Sequence, residues 1–160
     1  MRLVIRSGLI LAVLGLLVLG GEMFARFGLG LGYPPLSVSH PEVEYLFKPN
    51  QDVRRFGNRV QINAYGMRSA AFPATKPADQ YRVLVFGDSV LNGGNLTDQS
   101  ELATERLRER LADRLDRDAV VGNVSAGSWG PGNWLAYART FGFFEADAVI
   151  LLISSHVLPR

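Results

Sequence analysis

The sequence contains no cysteine in 160 residues and only two histidines, His40 and His156. Without cysteine, neither a disulfide framework nor a thiolate metal site can form, and two histidines do not make a histidine-rich metal site. We therefore predict no metal and no cofactor. The chain has 17 basic and 15 acidic side chains and no basic stripe interleaved with aromatic residues, so the sequence does not indicate a nucleic-acid partner.

The amino terminus begins with positive charge and continues into an apolar run. Arg2 and Arg6 precede residues 7–21, which carry no charge. Those fifteen residues would span about 22 Å as a helix, but counting from Leu3 brings the length near the ~30 Å of a bilayer core. The sequence indicates a signal-anchor over residues 1–26 or a signal peptide cleaved after Gly20, and we favour the anchor because no Ala-x-Ala occurs.

The positive-inside rule then predicts the side of the membrane. We expect a single-pass protein of the cytoplasmic (inner) membrane, with the rest of the chain on the periplasmic, extracytoplasmic side.

Two segments separate this helix from the main domain. Residues 27–42 are rich in glycine and proline and are predicted to be a linker. Residues 43–80 are predicted to form a small β segment and a second linker, with strands at 43–47, 52–56 and 59–63 and a turn at Gly57-Asn58. We expect this β segment to cover one edge or face of the core.

The β segment carries four arginines, Arg54, Arg55, Arg59 and Arg68. They could line a groove for an acidic polymer, or they could form a solvated face. Clustered charges of this kind more often form a solvated face, and we favour this interpretation.

The chain is organised around residues 81–94. Residues 83–86, Val-Leu-Val-Phe, have the pattern of a strand buried on both faces, which breaks at Gly-Asp-Ser, 87–89. Ligands of open α/β sheets bind at the carboxyl ends of strands, so Ser89 is a candidate nucleophile. The alternative is a plain strand-to-helix turn in which Asp88 and Ser89 only satisfy backbone amides.

The following residues alternate between helix and strand patterns. A helix is predicted over 98–115, a strand over 119–121, a glycine-rich loop from Asn123 into a helix starting at Pro131, and a strand over 146–153. This alternation predicts an α/β domain with a parallel sheet over residues 81–160.

Three stretches together resemble the SGNH/GDSL hydrolases. Gly-Asp-Ser with Gly93 four residues after the serine resembles block I, and Asn-Ala-Tyr-Gly-Met-Arg at 63–68 resembles the segment that precedes the catalytic strand in many exported members. The glycine-rich loop resembles block II, in which Gly127 would supply an oxyanion-hole amide. At block III, where Gly-Asn-Asp is usual, this sequence has Ser154-Ser155-His156-Val157, and His156 falls where the asparagine would be.

The resemblance implies a flavodoxin-like three-layer α/β/α SGNH hydrolase fold, here with three of its five parallel strands in the order 2-1-3. His156 would then donate a hydrogen bond to the oxyanion, or would be a packing residue. The family's general base lies in an Asp-x-x-His motif, which does not occur in this sequence. We therefore expect a truncated piece of a longer protein, with the base beyond residue 160.

The function implied by the resemblance is a serine esterase acting on an acylated partner, preferably an O-acetylated carbohydrate, outside the cytoplasm. One alternative is transfer of acetyl groups onto a polysaccharide. Another is a non-catalytic binding or assembly protein, because a serine without a base is a poor nucleophile.

Overall fold

The computed structural model describes residues 2–155, with side chains from residue 5 onward. Helix α1 spans Arg2–Met23 and continues into one turn of π-helix, Phe24–Gly28. Over Ile5–Gly28 the mean hydropathy is 2.2 and none of the span is buried against the protein. The predicted apolar amino-terminal helix is confirmed, and its length and composition suffice to cross a membrane.

Two antiparallel hairpins follow. Strands β1 (Ser37–His40) and β2 (Glu44–Phe47) form one, and β3 (Gln51–Arg55) and β4 (Asn58–Ile62) form the other.

The first hairpin corrects the sequence analysis, because β1 lies within the predicted linker. Its four residues, Ser-Val-Ser-His, carry little strand signal of their own, and pairing with β2 stabilises them. The second hairpin turns at Phe56-Gly57 and not at Gly57-Asn58, since Arg55 pairs directly with Asn58.

The centre of the protein is a parallel sheet of three strands, β5 (Tyr81–Gly87), β6 (Ala119–Ser125) and β7 (Ala148–Leu151). The order is β6-β5-β7, so the predicted order of the three strands is confirmed. Strand β6 runs four residues beyond its predicted end at 121. The reason is that Asn123 and Ser125 are buried and hydrogen-bonded, although their polarity suggested a loop.

Three further helices and one 3-10 turn complete the described chain. Helix α2 is Ser89–Asn92, α3 is Ala103–Leu115 and α4 is Pro131–Phe141, which begins at the predicted proline. The predicted helix over 98–115 starts instead as a 3-10 turn, Gln99–Glu101, which Leu102 separates from α3.

Helices pack on both faces of the sheet. On one face Val83, Val85 and Val121 contact α3 through Leu107 and Leu111. The other face is covered by α4 and by the β1–β2 hairpin, in one cluster whose members include Leu84, Phe86, Val124, Trp134, Tyr137, Val43 and Leu46. The expected β layer over the core is therefore present.

Strand β7 lies at the edge of this sheet. Within residues 2–155 it pairs with β5 alone, and Ile150 and Leu151 remain exposed. Strand β7 is therefore an open edge of the sheet within the part of the chain that the structure describes.

Candidate functional site

The site that the sequence predicts lies at the carboxyl end of the sheet. Gly87 at the end of β5 pairs with Ser125 at the end of β6, and the amide of Leu152 donates to the carbonyl of Phe86 over 2.8 Å. The segments that follow the three strands therefore emerge at the same edge, where open α/β sheets bind their ligands.

Ser89 stands on a sharp turn between β5 and α2. Buried Asp88 is extended and caps α2, its Oδ1 accepting from the amide of Val90 over 2.9 Å. Ser89 is the first residue of α2, and it is exposed. Gly87 is needed because a Cβ there would lie 2.7 Å from Leu91. Asp88 thus holds the turn by capping α2, and Ser89 is exposed to solvent beside it.

A serine that the sequence analysis did not select also reaches this turn. The hydroxyl of Ser154, just after the apolar run of the third strand, donates to Oδ2 of Asp88. Ser154 resembles Ser89 in being a hydroxyl residue just after an apolar strand pattern, and this pattern was the signal that could have identified it. His156, the predicted oxyanion donor, lies outside the described residues.

Gly127 lies in the loop after β6, on the same side as Ser89. Its carbonyl oxygen accepts a hydrogen bond from the hydroxyl of Tyr45 in β2, and burial raises the pKa of Tyr45, with the charge of Glu44 adding to the effect. Tyr45 therefore remains a neutral donor near pH 7. In the described part of the chain, neither the amide of Ser89 nor that of Gly127 has a hydrogen-bond acceptor.

A buried network of polar side chains supports the turn from beneath. Asn92 donates to the carbonyl of Ser125 over 3.1 Å, and Asn123 donates to the carbonyl of Leu91 over 3.1 Å. The Ser125 hydroxyl in turn donates to the Asn123 side chain. These bonds tie α2 to β6, so the position of Ser89 relative to the β6 loop is fixed by satisfied buried groups.

Arg68 fixes the loop that follows α2. It is fully buried, and its guanidinium donates to the carbonyls of Asn92 and Thr97, each over 2.6 Å, and to that of Gly94. Burial lowers its pKa to about 10, so it stays charged at neutral pH. Both interpretations predicted for Arg68 are wrong. Arg68 lies neither in a groove nor on a solvated face, because it is buried and its guanidinium donates to backbone carbonyls.

The one histidine within residues 2–155 does not take part in this site. Nδ1 of His40 accepts from the amides of Glu42 and Val43 over 3.2 Å each, and the ring lies 6.1 Å from that of Phe141. His40 therefore stabilises the β1–β2 turn. Among the described side chains, no group of three His, Asp or Glu could hold a metal ion.

A cavity of about 500 Å³ lies away from Ser89. It runs between β4, the segment before β5 and the start of α3, and it carries charges of both signs, including Arg59, Asp98, Glu105 and Arg108. Several of these are already paired: Asp98 accepts from the amide of Arg59 over 2.7 Å, and Glu105 forms an ion pair with Arg108 at 2.8 Å. This cavity therefore does not present a set of free groups for a ligand.

Comparison with known proteins gives no relative for this chain: no family model matches it, and neither a curated protein nor a solved structure is detectably similar.

Proposed function

We propose that this protein is a membrane-anchored serine esterase of the SGNH type, with Ser89 as the nucleophile. The observation that carries the proposal is the exposed hydroxyl of Ser89 on a turn held by buried Asp88, at the carboxyl end of the central parallel strand. A plain connecting turn would not require the network of Asn92, Asn123 and Ser125 that fixes α2 against β6.

The chemical step is acyl transfer. The Ser89 oxygen attacks the acyl carbon of an ester while a base takes its proton, and the alcohol leaves after accepting a proton. Water then releases the acid and restores the serine. The described residues supply the nucleophile, and the base is a group beyond them.

Two backbone amides would stabilise the oxyanion. Ser89 and Gly127 each follow a strand end by two residues in the paired register of Gly87 and Ser125. Both amides lack an acceptor within residues 2–155, which suits donors that bind a developing negative charge. His156 would add a third donor in the place of the family's asparagine.

The preferred substrate is an O-acetylated carbohydrate outside the cytoplasm, with α1 as a single-pass anchor. This assignment follows from the resemblance of residues 63–68, 87–93 and 123–134 to exported SGNH proteins. The apolar span Ile5–Gly28, unburied and 24 residues long, supports membrane anchoring.

The test is turnover of p-nitrophenyl acetate and of an acetylated oligosaccharide, in detergent, by the protein expressed from its complete natural coding sequence, because the base is not among the described residues. Ser89→Ala should lower turnover at least ~10³-fold, because the nucleophile is lost. The matched control is Ser100→Ala, an exposed serine in another turn, which should leave turnover unchanged. His156→Asn should retain turnover and His156→Ala lower it if this side chain binds the oxyanion.

The products separate the competing functions. Free acetate supports hydrolysis, whereas acetyl groups on an added sugar acceptor support transfer. If the folded wild-type chain turns over neither ester and Ser89→Ala behaves like it, the catalytic proposal fails and a binding role replaces it.

A further inference from the structure

The apolar span of α1 ends directly against the β3–β4 hairpin. The amide of Phe56, at the tip of that hairpin, donates to the carbonyl of Leu29 over 2.8 Å. Gly30 has φ +69, and a Cβ at that position would collide with the carbonyl oxygen of Arg54. Because the span ends at Gly28, these contacts hold the hairpin tip at the depth where α1 would leave a bilayer.

The tip itself has an unusual residue. Phe56 has φ 52 and Gly57 has φ 82, so both central residues of this two-residue turn are in the left-handed region. Such turns favour Asn, Asp or Gly, and a bulky side chain there is strained. Phe56 is nevertheless 44% exposed, with the guanidinium of Arg55 stacked 5.1 Å from its ring centre. Strain at an exposed aromatic residue points to a function for that side chain.

The surroundings of the tip are basic and aromatic. Neither Arg54 nor Arg55 lies within 4.0 Å of a described carboxylate, whereas Arg26 pairs with Glu22. A cavity of about 310 Å³ lies between the end of α1 and the hairpin. Its lining includes Arg26, Phe27, Tyr33 and Arg54. Phe27 and Tyr33 are both largely exposed. Aromatic and basic side chains together at the end of an apolar helix are typical of a membrane interface.

We propose that these residues form a collar that binds anionic phospholipid headgroups where α1 leaves the membrane. The collar comprises Arg26, Phe27, Tyr33, Arg54, Arg55 and Phe56. Phe56 and Tyr33 insert among the headgroups, and Arg54 and Arg55 bind their phosphates. The collar holds the α/β domain against the bilayer surface. This inference rests on the proposed membrane insertion of α1 and is independent of the esterase activity.

The absence of cysteine allows a direct test with single-cysteine variants of the full chain. Phe56→Cys places a nitrobenzoxadiazole probe in the collar, and Leu14→Cys places it within the span. Asp113→Cys is the control outside the collar: Asp113 is exposed near the carboxyl end of α3 and does not line the cavity between α1 and the hairpin. Each variant is reconstituted into vesicles of phosphatidylcholine or of an equal mixture with phosphatidylglycerol.

We expect the probe at position 14 to report an apolar environment in both vesicles and that at 113 to report water in both. The probe at position 56 should show blue-shifted emission in the phosphatidylglycerol vesicles, and high salt should reverse the shift because it screens the arginines. Arg54→Gln combined with Arg55→Gln should abolish the lipid dependence. Unchanged urea unfolding curves would show that the variants remain folded.

The outcomes separate the two claims. If position 14 is inserted but position 56 stays in water, or shifts equally in both lipids, the collar is wrong and anchoring stands. If position 14 reports water, membrane insertion fails and the collar fails with it. Turnover of p-nitrophenyl acetate by the same samples reports on the esterase separately.

Discussion

Each end of the central sheet has a fully buried arginine that donates hydrogen bonds to backbone carbonyls. At the amino end Arg82 is fully buried and donates to the carbonyls of Phe144 over 2.7 Å and Ala74 over 3.1 Å. At the carboxyl end Arg68 is equally buried and donates to the carbonyls of Asn92 and Thr97. Each arginine therefore supplies the hydrogen bonds that water would otherwise give to these buried backbone carbonyl oxygens.

The two ends differ in the other polar side chains that lie there. At the amino end two carboxylates are paired: Asp147 accepts from Lys76 and from the amide of Arg82, and Asp118 accepts from Gln80 over 2.7 Å. At the carboxyl end the hydroxyl of Ser89 is exposed. This exposure of Ser89 above a network of paired buried groups is the reason for placing the proposed active site at the carboxyl end.

The largest expected effect comes from removing each arginine. Arg68→Met and Arg82→Met should each lower the free energy of unfolding by about 3 kcal/mol, because buried carbonyls lose their donors. The measurement is urea unfolding followed by circular dichroism.

The same pair of variants sharpens the comparison between the two ends. Under conditions where both are folded, Arg68→Met should also reduce the reactivity of Ser89, since the loop after α2 is no longer held, while Arg82→Met should leave it unchanged. Equal reactivity in the two variants would show that Arg68 has no role in positioning the serine. Arg68→Lys should recover part of the reactivity.

A smaller effect is expected from Asp98 in the loop beyond α2. Its pKa is lowered from 3.8 to about 2, chiefly by the amide of Arg59 and then by the hydroxyl and amide of Ser100. Because the pKa is lower in the folded state, its stabilisation is present above about pH 4 and is lost as the pH falls toward 2. Asp98→Asn should therefore lower the melting temperature at neutral pH, and the difference should shrink between pH 4 and 2.

At the amino end, Asp147→Asn is the matched variant for that experiment. The pKa of Asp147 is also lowered, first by the hydrogen bond from Lys76 and then by the amide of Arg82, so the same sign applies. A difference in melting temperature that stays constant down to pH 2 in both variants would contradict the proposed origin of these shifts.

The sequence predicts the sheet well because its strands are apolar runs. The apolar runs at 83–86 and 146–153 predict β5 and β7. The glycine-containing segments after β5 and β6 indicate where the chain leaves each strand. The turn at Asp88-Ser89 was also predictable, since strand, break and helix patterns follow one another within a short distance.

Other features depend on partners distant in the chain. Arg68 is buried because carbonyls 24 to 29 residues later surround it, and no local pattern reveals this. Asn123 and Ser125 extend β6 although they are polar, because side chains of α2 and α3 satisfy them. The short strand β1 exists only through its pairing with β2.

The most direct test is covalent labelling with a fluorophosphonate of the folded protein expressed from its complete natural coding sequence, followed by intact mass and peptide mapping. We expect one adduct on Ser89, absent in Ser89→Ala and retained in Ser100→Ala. A folded wild-type chain that gains no adduct, or gains it on another residue, would contradict the assignment of Ser89 as a nucleophile.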